Sequence, residues 1–125
     1  MLIVHHLNNS RSQRILWLLE ELDVPYDLRR YQRDPVTNLA PPELAEVHPL
    51  GKSPMIEDNG RLILECGTIV EYLCARHGPH MVPPADSDAF ISHLELMHFA
   101  EGSAMTPILL GLYVGRLGDA GAPLA

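Results

Sequence analysis

The chain has 125 residues, the size of one globular domain, and 46% of them are hydrophobic against 20% charged, enough apolar material for a core and too much for global disorder. Nine Lys and Arg against sixteen Asp and Glu leave a formal charge of -7 with no basic run, which argues against nucleic acid or an anionic membrane as a partner. No apolar run reaches the ~18 residues of a membrane span, and the opening Met1-Leu2-Ile3-Val4-His5-His6 lacks the basic and long apolar regions of a secretory signal.

Leu2 to His5 is a short apolar run of strand type, and Leu7-Asn8-Asn9-Ser10 is a turn. From Arg11 to Leu22, Ile15, Leu16, Leu18, Leu19 and Leu22 recur at helical spacing. Ser10 and Gln13 fit a capping box, with Ser10 as N-cap. Asp23-Val24-Pro25 ends that helix, and Tyr26 to Arg30 alternates as a second strand. Asp34 to Pro42 is a polar, proline-containing loop, Pro42 to Glu46 a short helical turn, and His48 to Pro54 a segment dense in turn residues. Met55-Ile56-Glu57 and Arg61 to Leu64 flank Asp58-Asn59-Gly60, a strong hairpin signal. Cys66 to Arg76 carries Ile69, Val70, Leu73 and Cys74 at helical spacing, with Gly78 suited to the C′ position.

The order β-α-β, loop, β-β-α over residues 1–78 predicts a thioredoxin-like α/β domain, with its first two strands parallel and its last two an antiparallel hairpin. Residues 79–88, with Pro79, Pro83 and Pro84, read as a linker. Residues 89–125 then offer one apolar helical stretch, opened by a cap at Ser87 or Asp88 and kinked or interrupted at Pro107. This stretch has no partner helices after it, so its apolar face must pack on the first domain, on another subunit, or on chain beyond Ala125. Cys66 and Cys74 lie eight positions apart on one predicted helix. That is ~12 Å between Cα atoms, too far for a disulfide, and reduced thiols in the cytosol are the simpler reading.

Three segments carry a family resemblance. His48-Pro49-Leu50-Gly51-Lys52-Ser53-Pro54 is similar to the Asn-Pro-x-Gly-Lys-Val-Pro segment of cytosolic glutathione S-transferases. Leu64 to Leu73 resembles that family's Leu-x-Glu-Ser-x-Ala-Ile-x-x-Tyr-Leu segment, and Ser10 to Leu22 resembles the first helix of bacterial and fungal members. Phe90 onward, including Phe99-Ala100-Glu101-Gly102-Ser103, resembles the first helix of the family's all-helical second domain. The resemblance implies an α/β thioredoxin-like domain followed by the truncated start of that helical domain. The last third or more of a typical member is absent, so a fragment or a truncated gene product is expected.

The resemblance also implies a chemistry. The thiol of glutathione is a poor nucleophile and must react as thiolate. Ser10 aligns with the hydroxyl of serine-type members. There a hydroxyl hydrogen bond and the dipole of the following helix favour the thiolate. Ser12 and the amides of Asn8 and Asn9 compete for that role, and Ser10 as a plain helix cap is the simpler alternative. Pro54 is expected cis, presenting the backbone of Ser53, where valine is commoner, to the cysteinyl part of the peptide. Glu65 and Cys66 fall where the γ-glutamyl end is held: a carboxylate for its amine, a helix N-terminus for its carboxylate. Cys66 replaces the usual serine with a weaker donor, so weaker glutathione binding is expected.

Lys52 is the single lysine and is placed to reach the glycine carboxylate. Arg11 and Arg14 add positive potential, although Arg14 fits better as a structural partner of Glu21 or Glu71. Glutathione is expected as co-substrate without a further cofactor, a small apolar electrophile as the second substrate, and a cytoplasmic homodimer as the assembly. In the family the helical domain lines most of the electrophile site and also serves the dimer interface.

The competing readings are a non-catalytic interaction or regulatory module, supported by the apolar face of residues 90–117, and a glutaredoxin- or peroxidase-like thiol protein. Serine rather than cysteine at position 10 argues against the latter. The seven histidines predict no metal site: His5 and His6 point to opposite faces of a strand, and His93 and His98 are five apart. Trp17, set among leucines, is expected to pack or to face a partner.

Overall fold

A computed structural model describes residues 1–124. The chain divides into a first unit, Met1–Met81, and a second beginning at Val82. In the first unit the strands are β1 (Leu2–Leu7), β2 (Asp27–Tyr31), β3 (Met55–Asp58) and β4 (Arg61–Leu64). The helices are α1 (Ser12–Glu21), the short α2 (Glu43–Val47) and α3 (Cys66–His77). The sheet order is β2-β1-β3-β4, with β1 and β2 parallel and the other pairs antiparallel. This is the expected thioredoxin-like mixed sheet. The second strand starts one residue later than its sequence pattern suggests.

Alternation along β1 builds two layers. Leu2 and Val4 face a core shared with Ile15 and Leu19 of α1, Ile56 and Ile63 of the hairpin, and Ile69 and Leu73 of α3. Leu7 points to the opposite face and packs with Met55 and with Leu44 of α2. Ile15 and Leu19 lie one turn apart on α1, and both are fully buried. The Asn59–Gly60 turn has positive φ at both residues, +49° and +81°, the backbone of a two-residue hairpin turn matched to strand twist.

Two cap assignments change. Gly78 does close α3, but with φ -133° it is outside the left-handed region expected of a C′ glycine. A Cβ there would meet a Leu22 methyl group at the C-terminal end of α1, and that side chain would have to shift to admit it. At the other end of α1, the helix starts at Ser12 with Arg11 as N-cap, and Arg11 makes no side-chain cap bond. The Ser10 hydroxyl still accepts the Ser12 amide at 3.2 Å, and the Gln13 amide donates to the Ser10 carbonyl at 3.4 Å. A tight first turn thus precedes the α-helix proper, so the N-cap falls one position after Ser10 and carries no side-chain cap bond.

The second unit contains α4 (Asp88–Phe99), a π turn (Ala100–Ala104) and α5 (Met105–Arg116). Ser87 stands at the N-cap of α4, but its hydroxyl donates to the Pro84 carbonyl at 2.6 Å instead of capping. The interruption expected at Pro107 falls upstream of it. Proline tolerates the first turn of α5 but has no N–H for the carbonyl four residues back, and the π turn occupies that stretch. Ile91, Leu96, Phe99, Ile108 and Leu110 are exposed, and Val114 is buried. No helix among the described residues is long and apolar enough to cross a membrane.

Candidate functional site

Sheet register brings three loop segments to one end of the first unit. His5 of β1 is level with Met55 at the start of β3, and Met55 with Leu64 at the end of β4. The β1–α1 loop, the segment entering β3 and the β4–α3 junction therefore emerge at the same edge. These are the segments that hold Ser10, Ser53–Pro54 and Glu65–Cys66.

Ser10 is half-buried, and its hydroxyl lies 2.6 Å from that of Ser12 and 3.5 Å from that of Ser53. Ser12 is fully buried and turned inward. Its hydroxyl meets His6 Nδ1 at 2.8 Å and both the amide and the carbonyl of Leu7 at 3.3 Å. Of the two hydroxyls, Ser10 is the one at the surface of the site. The bond to the Ser12 amide means that Ser10 serves as a turn cap as well; the two roles use different parts of one hydroxyl, a lone pair and the proton.

The Ser53–Pro54 peptide bond is cis, as expected. The Ser53 hydroxyl donates to the His5 carbonyl at 3.0 Å, tying this segment to β1. Pro54 is buried and Lys52 exposed. Glu65 is exposed and sits at the N-cap of α3 with φ 67° and ψ 124°. A side chain in that region costs on the order of 1–3 kcal/mol, and such strain concentrates at ligand clamps. Cys66 is the buried first residue of α3, and Arg14 reaches its sulfur at 3.9 Å. The Ile69 amide already donates to the Glu65 carbonyl at 2.9 Å. The amides of residues 66–68 precede that first intrahelical bond and lie at the positive end of the helix, which favours an anion.

Asn9 is exposed in the left-handed region, φ 51°, which asparagine tolerates. Arg11 is half-buried beside it. Asn8 is occupied, its side-chain oxygen accepting the Arg33 amide at 2.8 Å. Arg33 is a residue that sequence reasoning misses. Its guanidinium donates to the carbonyls of Asn8, Asn9 and Asn38 at 3.0, 3.3 and 3.1 Å, so it clamps the loop that carries Ser10. No motif marks it; only its position just after β2, beside the end of β1, gives it reach.

The adjacent histidines split between the two sheet faces, as the alternation of a strand requires. His5 Nδ1 meets the Tyr31 hydroxyl at 2.9 Å, while its Nε2 is buried without a hydrogen-bond partner. Burial lowers the pKa of both imidazoles, with Arg29 assisting and Glu57 opposing at His5, and Arg30 assisting at His6. Neither cysteine is in a disulfide and both are buried, and burial pushes the Cys74 thiol up. Among the described residues, no three His, Cys, Asp or Glu side chains come together to hold a metal. A shallow depression at the far end of α1, lined by Leu19, Glu20, Val24 and Tyr26, involves none of the site residues.

Comparison with known proteins gives one family. Residues 1–75 match the model of the glutathione S-transferase N-terminal domain. Glutathione S-transferase 3 of Schizosaccharomyces pombe is 45% identical over 106 residues, 84% of this chain and 43% of the relative. Glutathione S-transferase 1 of Saccharomyces cerevisiae is 33% identical over 127 residues, covering 96% of this chain and 54% of the relative. A crystal structure of a glutathione S-transferase from Actinobacillus pleuropneumoniae superimposes with a TM-score of 0.81 at 34% identity, over 95% of this chain and 55% of that one. A Sulfitobacter homologue with bound glutathione shares the fold, with a TM-score of 0.69 at 20% identity over 100% of this chain and 57% of its own. The chain thus spans about half the length of the curated relatives it matches. With the N-terminal family model covering more than half of its residues and a cis-proline, a helix-start serine and a strained glutamate at one sheet edge, the chain belongs to the glutathione S-transferase family.

Proposed function

We propose that this chain binds glutathione at the common edge of β1, β3 and β4 and activates its thiol for attack on a small apolar electrophile. The observation that carries the reading is the Ser10 hydroxyl: half-buried at the start of α1, 2.6 Å from Ser12 and 3.5 Å from Ser53, beside the cis Ser53–Pro54 bond. Its proton, directed at Ser53 Oγ over a long 3.5 Å contact, turns to a thiolate when the peptide binds, and the positive end of α1 adds to that preference. Both effects lower the thiol pKa from its ordinary value near ~8.5.

The backbone of Ser53 pairs with the cysteinyl part of the peptide, as one rung of strand addition. The Glu65 carboxylate takes the γ-glutamyl amine, and the N-terminus of α3, at Cys66 and Gly67, takes its carboxylate. Lys52 reaches the glycine carboxylate. The thiolate then displaces a leaving group from the electrophile, or adds to it and the adduct takes a proton, forming one carbon–sulfur bond. A homodimer and a cytoplasmic setting belong to the same reading.

Ser10→Ala is the test. Transition-state stabilisation by this hydroxyl predicts a turnover loss of ten- to a hundredfold with glutathione affinity changed only a few-fold. Equal activity per folded molecule in variant and parent would return Ser10 to a capping role alone, worth ~0.5–2 kcal/mol of stability.

A further inference from the structure

The hydroxyls at the β1–α1 junction form a chain with two self-consistent directions. Ser12 Oγ has one proton to give and two lone pairs. The Leu7 amide, at 3.3 Å, takes one lone pair. Giving the proton to the Leu7 carbonyl, also at 3.3 Å, would leave one lone pair for two short contacts, so one donation and one acceptance go to those contacts, 2.8 Å to His6 Nδ1 and 2.6 Å to Ser10 Oγ. If His6 Nδ1 carries a proton it donates to Ser12, Ser12 donates to Ser10, and the proton of Ser10 faces outward. If His6 Nδ1 is bare, Ser12 donates to it and Ser10 donates to Ser12. Ser10 then has no proton left for a ligand.

The contacts of Ser12 alone do not choose between the two directions, which differ in the imidazole tautomer they need. Ser53 favours the outward one. Its proton is spent on the His5 carbonyl at 3.0 Å, so it meets Ser10 at 3.5 Å as an acceptor. An unbroken run then leads from His6 through Ser12 and Ser10 to Ser53, with every donor matched to an acceptor. A neutral imidazole has a single N–H, so which nitrogen holds it decides the outcome. His6 is half-buried, and Arg30 lies level with it on β2; both hold it in the neutral form.

We infer that His6 is a positioning residue: as its Nδ1–H tautomer it orders the Ser12 and Ser10 hydroxyls so that Ser10 donates outward, to the thiolate of the bound peptide. This rests on the reading of Ser10 given above. His6 touches no reacting atom; it acts through Ser12.

Two measurements on the full chain loaded with glutathione test it. The first is the tautomer of His6 by long-range proton–nitrogen NMR. Nδ1–H is expected, and Nε2–H would overturn the inference without any variant. The second is ultraviolet titration of the bound thiol in the parent, Ser10→Ala, His6→Asn and His6→Asp. Asparagine can still donate from the Nδ1 position and should leave the bound-thiol pKa near that of the parent. Aspartate only accepts, turns the chain inward, and should raise that pKa by about one unit, a tenfold loss of thiolate.

In a Ser12→Ala background the effect of His6→Asp should vanish. If it persists there at full size, through-space charge explains it and the inference falls. Ser10→Ala separates the two levels of the argument. If it leaves the bound-thiol pKa at the parent value, the reading of Ser10 fails. If it raises that pKa while His6→Asp does not, only the role of His6 fails. A parent chain that binds no glutathione overturns both.

Discussion

Single residues at this site are fixed by different physical demands, and those demands separate what a sequence can reveal from what it conceals. Ser10, Pro54, Glu65 and Cys66 each sit inside a motif, so their positions are legible in the chain. Ser12 is not distinguishable from Ser10 by spacing. It takes the fold to bury one and leave the other half-exposed. Arg33 and His6 carry no motif, because their partners are backbone carbonyls and a hydroxyl brought close by strand pairing. Two outcomes belong at this scale. Cys66→Ser supplies a stronger donor where the γ-glutamyl carboxylate is expected, and one added hydrogen bond is worth ~0.5–1.5 kcal/mol. Glutathione affinity should rise about two- to tenfold by calorimetry; a decrease would remove Cys66 from the site. Glu65→Gly relieves a φ of 67°, so thermal stability should hold or rise while glutathione affinity falls. Loss of both together would mean that the strained backbone serves the fold and not the ligand.

Elements, by contrast, were legible almost throughout. The period of α1, the alternation of β1 and the Asn59–Gly60 turn all predict what the structure has, because each rests on local geometry. The departures come where tertiary contacts override local rules: Gly78 packs against Leu22 without a positive φ, and the first turn of α1 tightens around Ser10. The β1 strand also carries a pH dependence. His5 is buried, and its pKa is lowered chiefly by that burial, so the unfolded chain binds its proton more readily than the folded one. Stability therefore rises with pH where the two states differ. It should be fully present above about pH 6.5, the ordinary histidine value, and be lost as pH falls below it. Denaturant titrations at stepped pH should show this loss in the parent and a flatter profile in His5→Gln. An equal slope in both would place the acid sensitivity elsewhere.

At the scale of the whole molecule, sheet register does the assembling. Three segments that are distant in sequence meet because β1 and β3 run antiparallel and β4 returns beside β3. The family resemblance allows that meeting to be expected; no single segment requires it. The second unit contributes two helices with exposed apolar side chains, and its sequence period shows the helices but not their surroundings. The central claim, that the first unit forms a glutathione site in which Ser10 favours the thiolate, is tested most directly by one calorimetric titration. Glutathione is titrated into parent and Ser10→Ala near neutral pH, in buffers of different ionisation enthalpy, so that proton release is read together with affinity. The account predicts saturable binding in both, with proton release from the thiol in the parent and markedly less in the variant. No saturable heat from a folded parent, or the same proton release from both chains, would contradict it.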